Sequence, residues 1–153
     1  MDNKEIIDKL SSLIRLDIDA VQSYDAVVGK VNEQDIRETL EQFKENHNRH
    51  IESLSGIVKR LGGTPPSRGP DIKGLFFEGI ALVRSLGGTE GVLRGLQPGE
   101  KTADKAYEEA MGENYPADIK AAIEVNFMDQ QRQARYLENA INVRVWEDKR
   151  KAA

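Results

Sequence analysis

The chain has only two histidines, and both lie on the apolar face of a predicted helix. His47 and His50 are three residues apart, so their side chains share one side of that helix and are one turn apart. Asp17 likewise falls on the apolar face of the preceding predicted helix, which is formed by positions 10, 13, 17, 20 and 24. Burying a polar group without a partner costs about 1–3 kcal/mol, and a charge costs more. The pattern therefore predicts a buried polar site that is satisfied by protein partners, by water or by a metal ion.

An internal repeat predicts a second set of polar residues in the core. When the sequence is shifted by 83 residues, 17–54 overlays 100–137 without a gap, and eight of 38 pairs are identical. About two or three identities are expected from ordinary amino-acid usage. The shift pairs Asp17 with Glu100, and it pairs the two histidines with Gln130 and Gln133. We therefore expect two related helical hairpins whose six polar side chains point inward at one level of the core.

Two tyrosines accompany the two acids. Tyr24 and Tyr107 each follow the acid of their own helix by seven residues, which is about two helical turns. We expect each hydroxyl to donate a hydrogen bond to that acid, and we expect both rings to serve in packing rather than in redox chemistry.

Four long amphipathic helices are needed to position these residues. Apolar residues that recur every three or four positions predict five helices, over about 3–30, 32–61, 72–86, 90–111 and 117–146. No stretch alternates apolar and polar residues for long enough to predict a strand. The sequence therefore predicts an all-α fold with a single domain over 1–153. We expect an antiparallel four-helix bundle of two repeated hairpins, about 3–61 and about 90–146, with a short extra helix in the connection.

Caps and breaks set the expected helix ends. Asn32, Asp71 and Thr89 are predicted N-caps, because short polar side chains satisfy the first free backbone N–H groups of a helix. The glycine pair at 62–63 predicts the end of the second helix. Pro98 predicts a kink in the fourth helix, since proline cannot donate the backbone hydrogen bond.

Composition excludes several classes of function. The 26 acidic and 22 basic residues give a net charge of −4, which argues against nucleic acid as the main partner, since phosphate binding needs a basic surface. The absence of cysteine excludes disulfides, thiolate metal sites and iron–sulfur clusters. No apolar run approaches the ~18–20 residues of a membrane span. Residues 1–5 lack the features of a signal peptide, so we expect a cytoplasmic protein without a membrane partner.

Motifs of the first hairpin resemble the ferritin-like superfamily, which includes bacterioferritin- and rubrerythrin-like proteins. The acid, alanine and tyrosine at 17, 20 and 24 resemble the first helix of bacterioferritin-like proteins. His47-x-x-His50, followed by LGG-x-P at 61–65, resembles their second helix and its exit. The resemblance implies a ferritin-like bundle.

The second hairpin resembles a narrower branch of that superfamily. Residues 89–137, with Gly99-Glu100 and YEEA at 107–110, are similar to small bacterial ferritin-like proteins classed as a domain of unknown function. With both hairpins included, the resemblance covers about 4–145.

The resemblance also implies a metal site, with ligand positions that differ from the family pattern. In di-iron members, each hairpin supplies a glutamate from one helix and a Glu-x-x-His pair from the other. Here His47 and Gln130 stand at the glutamate positions of that pair, and Gln133 replaces the second histidine. One divalent ion such as iron, manganese or zinc suits the ligands that remain. These ligands are Asp17, His47, His50 and Glu100, with Gln130, Gln133, Tyr24 and Tyr107 as surrounding residues or weak ligands.

Two functions remain open at this point. The first, which the resemblance implies, is a small metal-binding protein with a mononuclear site in iron or oxidative-stress handling. The second is a metal-free structural or protein-interaction module in which the polar layer only specifies helix pairing. A homodimer through the connecting helix is the expected assembly, and whether the protein is an enzyme stays open.

Overall fold

A computed structural model describes residues 1–67 and 79–147, and helices account for most of them. We number the α-helices in chain order as α1 Asn3–Val27, α2 Gln34–Arg60, α3 Ile80–Leu86, α4 Gly88–Met111 and α5 Ala117–Asn142. One-turn 3-10 helices follow at Val28–Lys30 and Val145–Glu147. The predicted all-α class is confirmed, and the described residues contain no strand.

Local backbone chemistry explains several helix ends. The Asp2 side chain accepts a hydrogen bond of 2.8 Å from the Glu5 backbone N–H and caps α1. Gly62 takes a φ of +90° directly after α2, in the left-handed region that favours glycine. Arg144 takes a φ of 51°, so the chain leaves the helical conformation soon after α5 ends at Asn142, earlier than the predicted end near 146.

Two of the predicted caps are wrong. The N-cap of α2 is Glu33, one residue beyond Asn32, and its side chain makes no capping hydrogen bond. The Asn32 N–H instead donates to Thr89 Oγ1 at 3.1 Å, and Thr89 lies inside α4 rather than before it. A contact between segments 57 residues apart therefore replaces two local caps. The third predicted cap, Asp71, lies outside the described residues, as do residues 72–78 of the predicted connecting helix.

Neighbouring long helices pack antiparallel. Helix α1 packs on α2 and α4 packs on α5, while α1 also runs along α4 and α2 along α5. The direction of α5 against α2 follows from two contacts, because His50 meets Asp129 whereas Arg60 meets Asp118. Helices α2 and α4 therefore start at the same end of the bundle, so the end of α2 and the start of α4 lie at opposite ends. A bundle with one long crossover is an established variant of the four-helix architecture.

Glycines allow α3 to lie directly against α4. A Cβ atom on Gly95 would lie 2.7 Å from the Gly79 carbonyl oxygen and 2.8 Å from Val83 Cγ2. A Cβ on Gly91 would lie 2.9 Å from the Val83 carbonyl oxygen. The two backbones therefore approach more closely than side chains would permit. Helix α4 continues through Pro98 as a single element.

The polar layer separates two clusters of buried apolar residues. The first cluster includes Leu40 and Leu93, and it lies toward the α1–α2 turn. The second includes Leu10, Leu54 and Ile123, and it lies toward the opposite end of the bundle. The polar side chains thus lie in the middle of the core, with apolar packing on both sides.

The structure also bears on membrane association. Within 1–67 and 79–147, no helix combines the length and the apolar character that crossing a membrane requires.

Candidate metal centre

Asp17 from α1 lies at the centre of the polar layer and is 1% exposed. Its Oδ1 atom lies 2.7 Å from Nδ1 of His47 and 3.2 Å from Nδ1 of His50. Its Oδ2 atom accepts a hydrogen bond of 2.7 Å from the Tyr107 hydroxyl. The structure thus brings Asp17 together with both histidines of α2. Each of these three buried side chains offers one ligand atom, and the three atoms lie within 4.8 Å of one another.

The far nitrogen of each imidazole contacts a different carboxylate. His47 Nε2 lies 2.7 Å from Glu100 Oε1, and His50 Nε2 lies 3.1 Å from Asp129 Oδ2. Glu100 comes from α4 and Asp129 from α5, so all four long helices contribute to this chain of contacts. Each ring is held between two acids, which fixes its orientation.

The acids around His47 favour its protonated form. Burial lowers the pKa of His47, but the charge of Glu100 and the hydrogen bonds with Asp17 and Glu100 outweigh burial and raise the pKa to about 10. Burial also acts to raise the pKa of Asp17, but hydrogen bonds from His47 and His50 bring it below its usual value. Without a metal, His47 is therefore an imidazolium between two carboxylates at neutral pH.

The two tyrosines approach the acids of the opposite hairpins. Tyr107 donates to Asp17 rather than to Glu100. Burial and the neighbouring Glu100 carboxylate raise the pKa of Tyr24 well above its usual value. The expectation that each tyrosine hydroxyl donates a hydrogen bond to the acid of its own helix is wrong. Seven residues along one helix span about 10 Å, whereas the antiparallel packing of α1 on α4 brings each tyrosine to the other helix's acid.

The two core glutamines hold Glu100. The amide nitrogen of Gln130 donates to Glu100 Oε2 at 3.0 Å, and that of Gln133 donates to the same atom at 2.9 Å. Gln133 Oε1 accepts a hydrogen bond of 2.9 Å from Asn46. Gln130 Oε1 is buried and has no hydrogen-bond partner among the described residues, so it can accept from a water or contact an ion.

Asp129 is a site residue that the apolar spacing does not single out. It directly precedes Gln130, outside the spacing 123, 126, 130, 133, 137 of the core face. The shift of 83 residues pairs it with Asn46, whose contact with Gln133 is the counterpart of the contact between Asp129 and His50. The sequence does carry a signal for Asp129. Adjacent polar residues at 46–47 recur at 129–130, so a polar residue lies beside the core face in each hairpin as well as on it.

A surface groove lies beside the site, between α2 and α5. Its volume is about 550 Å³. Its lining consists of Arg49, His50, Glu52, Ser53, Ala122, Val125, Asn126 and Asp129. The groove therefore reaches the edge of the polar layer at His50.

The helix arrangement and the core site define a ferritin-like fold. A crystal structure of a ferritin-like, di-iron-carboxylate protein from Bacillus anthracis str. Ames matches with a TM-score of 0.70, over 92% of this chain and 98% of that chain, at 19% identity. No curated protein matches the sequence. A family described as a domain of unknown function, DUF2383, matches residues 5–113, and the chain belongs to that family.

These residues fit one metal ion and do not fit a di-iron centre. The ring of His47 lies 2.7 Å from both Asp17 and Glu100, so it fills the space between the carboxylates of the two hairpins. Gln130 and Gln133 supply amides where a second ion would need a carboxylate and an imidazole. A single ion fits because three ligand atoms converge. Their contacts of 2.7 and 3.2 Å are close to the separation of about 3 Å between neighbouring ligands of a metal ion.

Proposed function

We propose that the protein binds a single divalent transition-metal ion through Asp17 Oδ1, His47 Nδ1 and His50 Nδ1. The observation that carries this proposal is the orientation of the two rings. Both direct Nδ1 at the same carboxylate oxygen, and both have Nε2 against a separate acid. Histidine ligands typically donate their second ring N–H to a carboxylate, which fixes the tautomer and strengthens the ligand.

In this proposal Glu100 acts through His47. Glu100 contacts Nε2, and a ring that binds a metal through Nδ1 directs Nε2 away from the same ion. Glu100 therefore orients His47 and accepts its N–H, as Asp129 does for His50. Tyr107 holds the second oxygen of Asp17 by a hydrogen bond, which leaves Oδ1 for the ion.

Two imidazoles and one carboxylate suit iron(II), manganese(II) or zinc(II). We propose a role in iron or oxidative-stress handling, supported by the ferritin-like fold and by this donor set. A bound iron would supply redox chemistry toward dioxygen or peroxide. The chain itself contributes a buried site from which bulk water is excluded, and tyrosine hydroxyls that remain protonated because burial raises their pKa.

The test is metal content after anaerobic incubation with Fe(II), Mn(II) or Zn(II) and desalting. We expect about one ion per chain by elemental analysis. The variant with His47→Gln and His50→Gln should retain its helix content and lose the ion, because glutamine already occupies the corresponding positions 130 and 133. Gln133→Ala is the matched control, since it alters the same layer without removing a proposed ligand. Two ions per chain, or one ion retained in the double variant, would contradict the proposed ligand set.

A metal-free structural layer is the second candidate, and one observation favours it. His47 contacts Asp17 and Glu100 at 2.7 Å each, and its pKa of about 10 gives it a positive charge that hydrogen-bonds both buried acids and offsets one of their two negative charges without any ion. This candidate predicts no stoichiometric metal under any of the three conditions. It also predicts a melting temperature that a chelator does not change.

A further inference from the structure

The groove between α2 and α5 joins solvent to the polar layer. We propose that this groove is the entrance by which a divalent cation reaches the cluster, and that Asp129 is the carboxylate that receives the cation first. The inference rests on the proposed metal site and adds the route to it. It is carried by the order of burial along the groove, by the exposed ion pairs of Asp129 and by the lack of charge on its neighbour Asn46.

Burial increases stepwise from the groove to the cluster. The side chain of Asp129 is 12% exposed, whereas those of His50 and Asp17 are each 1% exposed. Asp129 Oδ2 lies 3.1 Å from His50 Nε2, and His50 Nδ1 lies 3.2 Å from Asp17 Oδ1. An ion that arrives through the groove therefore meets Asp129 first, then His50, then Asp17.

The charges at the mouth are paired by groups that a cation can displace. Arg132 donates to Asp129 Oδ1, and Arg49 Nη2 lies 3.7 Å from Asp129 Oδ2. The two arginine side chains are 63% and 57% exposed, and ion pairs with exposed side chains are weak. A divalent cation can thus replace the guanidinium groups at Asp129, and Glu52 balances the charge of Arg49 in the lining of the same groove.

The counterpart of Asp129 in the repeat carries no charge. This counterpart is Asn46, which is 8% exposed and lies between the same two helices, α2 and α5. Its amide donates to Gln133, and its carbonyl oxygen accepts from Gln42 and Arg49. Arg49 Nη2 contacts both Asn46 and Asp129, and of these two neighbours only Asp129 offers a carboxylate to a cation.

Stopped-flow binding of Co(II), followed by its visible absorption, tests this route. Asp129→Asn keeps the size of the side chain and an acceptor for His50, and it removes the charge. We expect its association rate constant to fall about tenfold at low ionic strength, and we expect the difference from wild type to shrink with added salt. Arg132→Gln should accelerate association, because it leaves the carboxylate less neutralised.

Two further variants distinguish passage through the groove from a general effect of surface charge on association. Ala122→Phe places a ring in the groove, and it should slow association and dissociation together while the equilibrium affinity stays unchanged. Asp118→Asn removes an exposed charge elsewhere on α5 and should behave as wild type. If Asp129→Asn and Ala122→Phe both bind Co(II) with the association rate constant of the wild type, the proposed entrance is wrong. It is also wrong if Asp129→Asn changes only the dissociation rate constant. Failure of the wild-type protein to bind Co(II) would overturn the proposed metal site as well.

Discussion

His47 is the residue on which the balance of charge in the core depends. Its two nitrogens contact acids from two different helices, and its positive charge offsets one of their two negative charges when no metal is bound. A metal ion at Nδ1 would take the place of one proton on this ring. The same side chain therefore serves both candidate functions, and substitutions around it distinguish them.

The stability of the metal-free protein should depend on pH through His47. Its pKa is about 10 in the folded protein and about 6.5 in an unfolded chain. The raised pKa contributes stability that is fully present below about pH 6.5 and is lost as pH rises toward 10. Urea unfolding of chelator-treated protein between pH 6 and 10 measures this loss. The His47→Gln variant should show a smaller loss, and equal pH dependence in both proteins would contradict the assignment.

Removal of the charge on Glu100 should weaken metal binding without removing a ligand. Glu100→Gln keeps an acceptor for His47 Nε2, and we expect the affinity for Co(II) to fall by about 10–100-fold. The visible spectrum of the bound ion should keep its band positions, because the coordinating atoms are the same. Glu108→Gln, an exposed change on the same helix, is the control. A changed spectrum in Glu100→Gln would make Glu100 a direct ligand.

The sequence predicts part of this site because polar residues interrupt an apolar spacing. Asp17, His47 and His50 stand out for that reason, and the repeat adds Glu100. Asp129 does not stand out, because it lies beside the core face rather than on it. The hydrogen-bond partners of the tyrosines depend on how α1 is aligned along α4. The spacing of residues within one helix cannot predict that alignment.

At the scale of elements, the contact of α3 with α4 should be sensitive to a single methyl group. Gly95→Ala would place a Cβ 2.7 Å from the Gly79 carbonyl oxygen, and we expect a loss of about 1–3 kcal/mol in the free energy of unfolding. Gly56→Ala in α2 meets no atom within 4 Å, so the better helix propensity of alanine should stabilise the protein by about 0.5–1 kcal/mol. Chemical denaturation of both variants measures the difference. Equal effects would contradict the close backbone contact.

The helices themselves could be predicted because amphipathic spacing determines which face is buried. Their ends could not all be predicted, since Asn32 and Thr89 bind each other across the bundle instead of capping their own helices. The end of α5 depends on the left-handed conformation of Arg144, a residue type that gives no sequence signal for it.

At the scale of the whole molecule, a metal ion in the polar layer should stabilise both apolar clusters together. The ligands and their partners come from all four long helices, so binding couples the two hairpins. At a free metal concentration 100 times the Kd, the stabilisation is about 2.7 kcal/mol. Hydrogen exchange should slow in the helices of both clusters, and a chelator should reverse the change. Protection confined to α1 and α2 would contradict this coupling.

The position of His47 between Asp17 and Glu100 also has a consequence for symmetry. In an assembly of two identical hairpins related by a two-fold axis, a side chain at that midpoint would collide with its own copy. One imidazole can bridge the two acids only if the hairpins differ there, and Gln130 provides the difference. Because both hairpins belong to one chain, positions 47 and 130 can carry different residues and form an asymmetric centre.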